Sequence, residues 1–273
     1  TTFYNAATFD SSNNKVVIAY QDAGNSDKGT AIVGTVNPSV NSITFGSEVV
    51  FESGGTNWIS ATYDSANGKV VIAYEDNPNS SYGTAIVGTV SGTSISFGTA
   101  VVFESATTNH NRIVYDSNKE KVVIAYRDNG NSFYGTVIVG TVSGTSISFG
   151  TPLVYESASV DHSSAVYDSS NGKTVIAYQD GGNSDYGTAV VVSTNSIETN
   201  LTANNFIGFS DAAYSDGATA TIQIAGAVDD AQSGLTTGSL HYVKPDGTLS
   251  TTAGNPSVEA GTALSATKIK VKK

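Results

Sequence analysis

An Ala-Tyr pair closes an apolar run four times in this chain, at Tyr20, Tyr74, Tyr126 and Tyr178, at spacings of 54, 52 and 52 residues. The surroundings keep the same register. Asp10, Asp64, Asp116 and Asp168 precede the run, Lys15, Lys69, Lys121 and Lys173 open it, and Asp22, Asp76, Asp128 and Asp180 close it; Gly29, Gly83, Gly135 and Gly187 begin the next run. A repeat of this length constrains the fold more than any other feature. Each unit has to be one supersecondary element that buries its apolar faces against its neighbours in an array.

Each unit reads as about four strands. In the second copy they are a short strand ending at Tyr63, a run from Lys69 to Glu75, a third from Gly83 to Val90 and a fourth from Ser94 to Glu104. The two inner runs, Val-Val-Ile-Ala and Ala-Ile-Val-Gly, are nearly all apolar, which suits strands covered on both faces. Asn67-Gly68 and Asn171-Gly172 read as primed two-residue hairpin turns. Four antiparallel strands in about 50 residues make the pattern of a β-propeller blade, so the expected fold is all-β: a propeller of four repeats, near 1–53, 54–105, 106–157 and 158–198. The fourth repeat lacks the outer stretch that ends the others, Val-Val-Phe-Glu in the first two and Leu-Val-Tyr-Glu in the third, which leaves an edge unpaired. Composition changes near Leu201, and residues 199–273 read as a small antiparallel β module whose last strand alternates Lys268, Lys270 and Lys272 with Ile269 and Val271.

Composition removes whole classes of chemistry. Arginine occurs only at Arg112 and Arg127 in a chain of net charge -11, so a phosphate-tracking groove for nucleic acid is not expected. Without cysteine there is no disulfide, thiolate metal site or cysteine nucleophile. No apolar run reaches the roughly 20 residues that cross a bilayer, so no membrane insertion is expected. Methionine is absent even at position 1, which fits a chain trimmed of a secretion signal or propeptide.

The repeated residues serve packing, so candidate binding residues are sought where the copies disagree. Six positions before each Asp-Ser stand Tyr4, Trp58, His110 and His162, with Asn57, Asn109 and Asp161 beside the last three. Four rings at equivalent places could stack on a sugar, with the neighbouring amides and carboxylate as hydrogen-bonding groups. Asp22, Asp76, Asp128 and Asp180 read as turn-capping residues, with calcium as the sharper alternative. No cofactor is expected. Glu52, Glu104 and Glu156 recur one per repeat and form no catalytic pair. Asn79 and Asn200 are the sequons. The strand material at Thr1, Thr2, Phe3 and Tyr4, and at Ile269 and Val271, supplies candidate assembly edges.

The stretches Gln232 to Val243, Asp246 to Thr252 and Ala260 to Val271 resemble a small module of bacteriophage tail-fibre and head-fibre proteins. The Ala-Tyr-x-Asp-x-Gly-Asn-Ser-x-Tyr-Gly-Thr repeats are similar to propeller repeats of secreted proteins from aquatic microbes and their phages. Asp22-x-Gly24, Asp128-x-Gly130 and Asp180-x-Gly182 resemble the middle of the Asp box of sialidase-type propellers, a structural turn in that family. These resemblances imply a non-enzymatic structural subunit of an extracellular or virion-surface fibre. Its expected partners are copies of itself, joined by strand addition, and the alternative is a propeller adhesin that binds surface glycans.

Overall fold

The computed structural model describes residues 1–192, 208–212, 219, 221–243, 249–253 and 257–272. They belong to two compact units, Thr1–Thr194 and Asn195–Lys273. The first unit is built of strands joined by short turns: β1 (Thr2–Asp10), β2 (Lys15–Asp22), β3 (Lys28–Asn37) and β4 (Ser42–Phe45) in the first repeat, and β5 (Val49–Asp64), β6 (Lys69–Asp76), β7 (Tyr82–Ser91) and β8 (Ser94–Phe97) in the second. The third holds β9 (Val101–Asp116), β10 (Lys121–Asp128), β11 (Tyr134–Ser143) and β12 (Ser146–Phe149). The fourth holds β13 (Leu153–Asp168), β14 (Lys173–Asp180) and β15 (Tyr186–Val192). All pair antiparallel in the order β1-β2-β3-β5-β6-β7-β9-β10-β11-β13-β14-β15, with β4, β8 and β12 branching from β3, β7 and β11.

The repeats are joined more tightly than separate four-stranded units would be. The expected strand from Ser94 to Glu104 is broken at residues 98–100, and Val101 onward runs without a turn to Asp116. A 16-residue strand therefore closes one repeat with its first half and opens the next with its second: β5 sets Glu52 opposite Gly29 of β3, then Asp64 opposite Lys69 of β6. The hairpin turn also differs from the sequence reading. Asp64 and Lys69 pair across four residues, Asp64 accepts the N–H groups of Ala66 and Asn67, and only Gly68 has positive φ. A side-chain carboxylate thus organises a turn that Asn-Gly alone does not define.

Packing explains why the inner runs are apolar on both faces. Val17 and Ala19 of β2 pack with Val70, Ile72 and Tyr74 of β6. The other face of β6, Val71 and Ala73, packs with Val122, Ile124 and Tyr126 of β10, and Val123 and Ala125 pack with Ile176 and Tyr178 of β14. At each junction an aromatic ring of the long strand lies over a glycine of one repeat and against the tyrosine of the next. Phe51 meets Gly29 and Tyr74, Phe103 meets Gly83 and Tyr126, and Tyr155 meets Gly135 and Tyr178.

Among the described residues the strand order does not return from β15 to β1, and the two outer repeats keep one face each uncovered. On the first repeat, Val36, Ile43 and Phe45 are 51%, 38% and 48% exposed, whereas the matching Val90, Ile95, Val142 and Ile147 are 3–7% exposed. On the fourth, Ala177, Ala189 and Val191 are exposed, whereas the matching Ala73, Ala85 and Val87 are fully buried.

The second unit has a two-stranded pair, β16 (Gly208–Ser210) with β17 (Ile222–Ile224), and a five-stranded sheet. That sheet comprises β18 (Val228–Asp229), β19 (Leu240–Val243), β20 (Leu249–Ser250), β21 (Val258–Ala263) and β22 (Ile269–Val271), ordered β18-β22-β21-β19-β20. Ile269 and Val271 are therefore not edge residues. Their strand has a neighbour on each side, and both side chains are buried, Ile269 in a core with Leu235, Val243 and Val258.

Candidate functional site

The strands that open the four repeats lie side by side, β1 against β5, β5 against β9 and β9 against β13. Each carries a bulge at the same place. Between Asn57 and Ser60 the pairing with β6 slips, and Trp58 takes a left-handed φ of 49°. Tyr4, His110 and His162 do the same, at 51°, 53° and 50°. This backbone region suits glycine; a bulky side chain there costs on the order of 1–2 kcal/mol. Four such residues in register mean that the fold holds each ring where an ordinary strand would not.

The consequence is a continuous ladder of rings. Centroids are 5.2 Å apart from Tyr4 to Trp58, 4.2 Å from Trp58 to His110 and 5.5 Å from His110 to His162, tilted by 51°, 44° and 61°. Tyr4 and His162 at the ends are exposed, Trp58 is half-buried and His110 is buried. Beside the ladder runs a chain of polar groups. The Gln21 amide donates to Asn57 Oδ1 (3.1 Å), Asn57 and Asn109 donate to Glu75 (3.4 and 3.0 Å), and Arg127 Nη2 donates to Asn109 Oδ1 (2.8 Å). Arg127 also pairs with Asp161, whose Oδ1 lies 3.1 Å from His110 Nε2.

Burial sets the electrostatics. It pushes the Glu75 carboxyl above its ordinary value, partly offset by the hydrogen bonds from Asn57 and Asn109. It pulls His110 below 6.5; Asp161 works against that shift, while Arg127 adds to it. Burial thus favours the neutral imidazole in the middle of the ladder.

On the flank of the Tyr4–Trp58 pair lies a cleft of about 330 Å³ that also takes in Asn5, Ser60 and Arg112. Ser60 Oγ accepts the Ile113 N–H at 3.1 Å. Arg112 Nη1 donates to the Asn111 carbonyl at 2.7 Å, and burial without an offsetting charge lowers the guanidinium from its usual value.

The predicted residues are thus brought together in part. Tyr4, Trp58, His110 and His162 form the ladder, and Asn57, Asn109 and Asp161 line the polar chain. Gln21, Glu75, Arg127 and Arg112 belong to the same constellation and escaped the sequence reading. The signal was present, because the place after Ala-Tyr reads Gln21, Glu75, Arg127 and Gln179 in the four copies, as divergent as the ring position itself.

The turn aspartates are spread one per repeat. Asp22, Asp128 and Asp180 accept the N–H of Gly24, Gly130 and Gly182, each at 2.9 Å, whereas Asp76 makes no such cap beside Pro78. Among the described residues no three acidic or histidine side chains converge as a metal site. Glu52, Glu104 and Glu156 each accept a tyrosine hydroxyl, from Tyr74, Tyr126 and Tyr178, at 3.0–3.5 Å. Asn79 lies in an exposed turn; Asn200 falls outside the described residues.

The chain is thus an all-β repeat protein built on one large antiparallel sheet with a ring ladder along its inner strands. No family model and no curated protein matches it. Among solved structures it is similar to Sqt1 of Saccharomyces cerevisiae, with 11% identity, 70% of this chain and 45% of that one covered, and a TM-score of 0.44. The chain thus spans less than half the length of that structure. A likeness of this size defines neither a family nor an activity.

Proposed function

We propose that this chain is a non-enzymatic structural subunit whose four repeats are propeller blades and whose two uncovered end faces join copies head to tail, as in an extracellular or virion-surface fibre. The observation that carries the reading is the pair of apolar ends. The face bearing Val36, Ile43 and Phe45 matches the one each later repeat turns toward its predecessor, and the face bearing Ala177, Ala189 and Val191 matches the one each earlier repeat turns toward its successor. The three internal junctions support reading each end as a docking face for the opposite end of another copy, a match between unlike faces. Such heterologous contacts propagate as a filament or close into a ring. Among the described residues β1 and β15 each pair on one side alone, and their free edges, with Thr1, Thr2, Phe3 and Tyr4 at the first, would add backbone donors and acceptors to the same joint.

Light scattering and negative-stain microscopy test this with two variants. Ala177→Arg blocks one end, and Val36→Asp with Phe45→Asp blocks the other; each alone should stay monomeric where the wild type assembles. Mixed together, they should give a dimer and nothing larger, since one sound face remains on each. A wild type that is monomeric at tens of micromolar, or variants that assemble unchanged, would sink the reading.

A second reading is favoured by the ladder itself. Four strained rings in a row suit a glycan-binding platform, since aromatic faces stack on the apolar faces of sugar rings. Trp58→Ala should abolish binding on a glycan array while leaving assembly intact.

A further inference from the structure

We infer that the cleft beside Tyr4 and Trp58 binds a saccharide bearing a carboxylate, with Arg112 as the carboxylate anchor. The inference rests on the glycan-binding reading and narrows it to acidic sugars.

The argument begins with the guanidinium. In a chain with two arginines and 24 acidic residues, an arginine would be expected to sit beside a carboxylate, and Arg127 does. Among the described residues Arg112 has no carboxylate within ion-pair distance. Its protein acceptor is the Asn111 carbonyl, which takes Nη1 and leaves the Nε–Nη2 edge unclaimed. That edge is the planar fork that meets a carboxylate with two parallel hydrogen bonds. A half-buried cation without a counter-charge is costly, and an anion entering the cleft would relieve the cost.

The rest of the cleft fits a sugar ring. Its volume of about 330 Å³ lies at the lower end of the range for small-molecule sites. Tyr4 and Trp58 bound it, held in the left-handed backbone region that sets their rings beside each other. Ser60 already accepts a backbone N–H through Oγ, so its hydroxyl hydrogen remains for an oxygen of the ligand, and the exposed Asn5 amide can serve another hydroxyl. The single positive charge matches a monoanion. A planar carboxylate fills the free edge with two bonds in one plane, which a tetrahedral anion does less well.

Calorimetry on the whole chain decides the matter with four probes: an oligosaccharide of glucuronic acid, the same oligosaccharide with its carboxyls reduced to alcohols, a sulfated neutral analogue, and acetate. The acidic sugar should bind at least about tenfold more tightly than the reduced one. Arg112→Gln should erase that preference while leaving the weak binding of the reduced sugar. Arg112→Lys should keep only part of it, because a point charge lacks the fork, and this variant retains the cation if the Gln variant fails to fold. Equal binding of acidic and reduced sugars would overturn the inference and leave the glycan reading standing. Binding of none of the sugars would overturn both. Sulfated sugar binding as tightly as the carboxylate, or acetate binding as tightly as the sugar, would overturn the carboxylated-saccharide assignment.

Discussion

Trp58 lies against His110 with ring centroids 4.2 Å apart, the shortest step of the ladder, and Trp58 is the chain's sole tryptophan. The indole is therefore a private reporter of the imidazole, because a protonated imidazole quenches indole emission more strongly than a neutral one. Burial lowers the His110 pKa from 6.5, so the folded protein should stay bright through pH 6.5 and lose emission only at lower pH. Asp161→Asn removes the charge that pulls the value up and should move the quench to still lower pH. The stability consequence has a definite sign. A histidine whose folded value is depressed takes up its proton first in the unfolded chain, so its contribution is complete above about 6.5 and falls as pH drops toward the folded value. A fluorescence midpoint at or above 6.5 would contradict the buried, neutral assignment.

The rings over the glycines give a comparison within one molecule. A Cβ at Gly83 or Gly135 would meet the ring of Phe103 or Tyr155 at 2.5 Å, while one at Gly187 would meet nothing within 4 Å. Gly83→Ala and Gly135→Ala should each destabilise by about 1–3 kcal/mol through overpacking. Gly187→Ala should be neutral or slightly stabilising, because it removes only freedom of the unfolded chain. Thermal melts of the three variants check this; equal shifts would mean that the rings do not seat on the glycines.

The Asp-to-Lys hairpins offer a stabilising change. The last turn residue is left-handed in all four repeats, and it is Gly68 and Gly172 in two of them but Asn14 and Glu120 in the others, with φ of 52° and 55°. Asparagine tolerates that region and glutamate does not. Glu120→Gly should therefore raise stability by about 0.5–1 kcal/mol, and Asn14→Gly by less. Urea midpoints would show it, and a loss of stability on Glu120→Gly would mean that its side chain makes a contact worth more than the strain.

The repeat and its inner strands were legible because packing forces identical residues at identical places, and the alternation of Val17, Ala19 with Val16, Ile18 already encodes two buried faces. The 16-residue strands were not. Strand ends are read most firmly from Gly and Pro, and Glu104 to Tyr115 contains neither, so nothing strong marks where one repeat hands over to the next. The ring ladder was legible as a set of divergent residues, but its backbone was not, since no sequence rule places Trp58 or His110 in a conformation that normally selects glycine. Arg112 and the Gln21–Glu75–Arg127 positions diverge between the copies as the rings do, but no sequence rule shows that a side chain across the hairpin, such as Glu75 opposite Asn57, lies beside the ladder. Ile269 and Val271 were misplaced at an edge because alternation shows that a strand is half-buried and says nothing of how many neighbours it has.

Arg127 and Asp161 belong to adjacent repeats and meet beside the buried His110, so they should couple the third repeat to the fourth. Arg127 also donates to Asn109 and lies 5.3 Å from the centre of the Phe133 ring, which fixes its guanidinium. Asp161 is partly exposed, so solvent screening reduces the value of the pair, and a double-mutant cycle with Arg127→Ala and Asp161→Ala should return about 1 kcal/mol. Each single variant should cost more than that. Arg127→Ala strips Asn109 of a donor, and Asp161→Ala leaves Arg127 Nη1 and His110 Nε2 without their acceptor. The loss should be local: hydrogen exchange should quicken in β13 and β14 of Asp161→Ala while β2 and β6, two junctions away, keep their protection. Uniform loss of protection would show instead that the four repeats unfold as one cooperative unit.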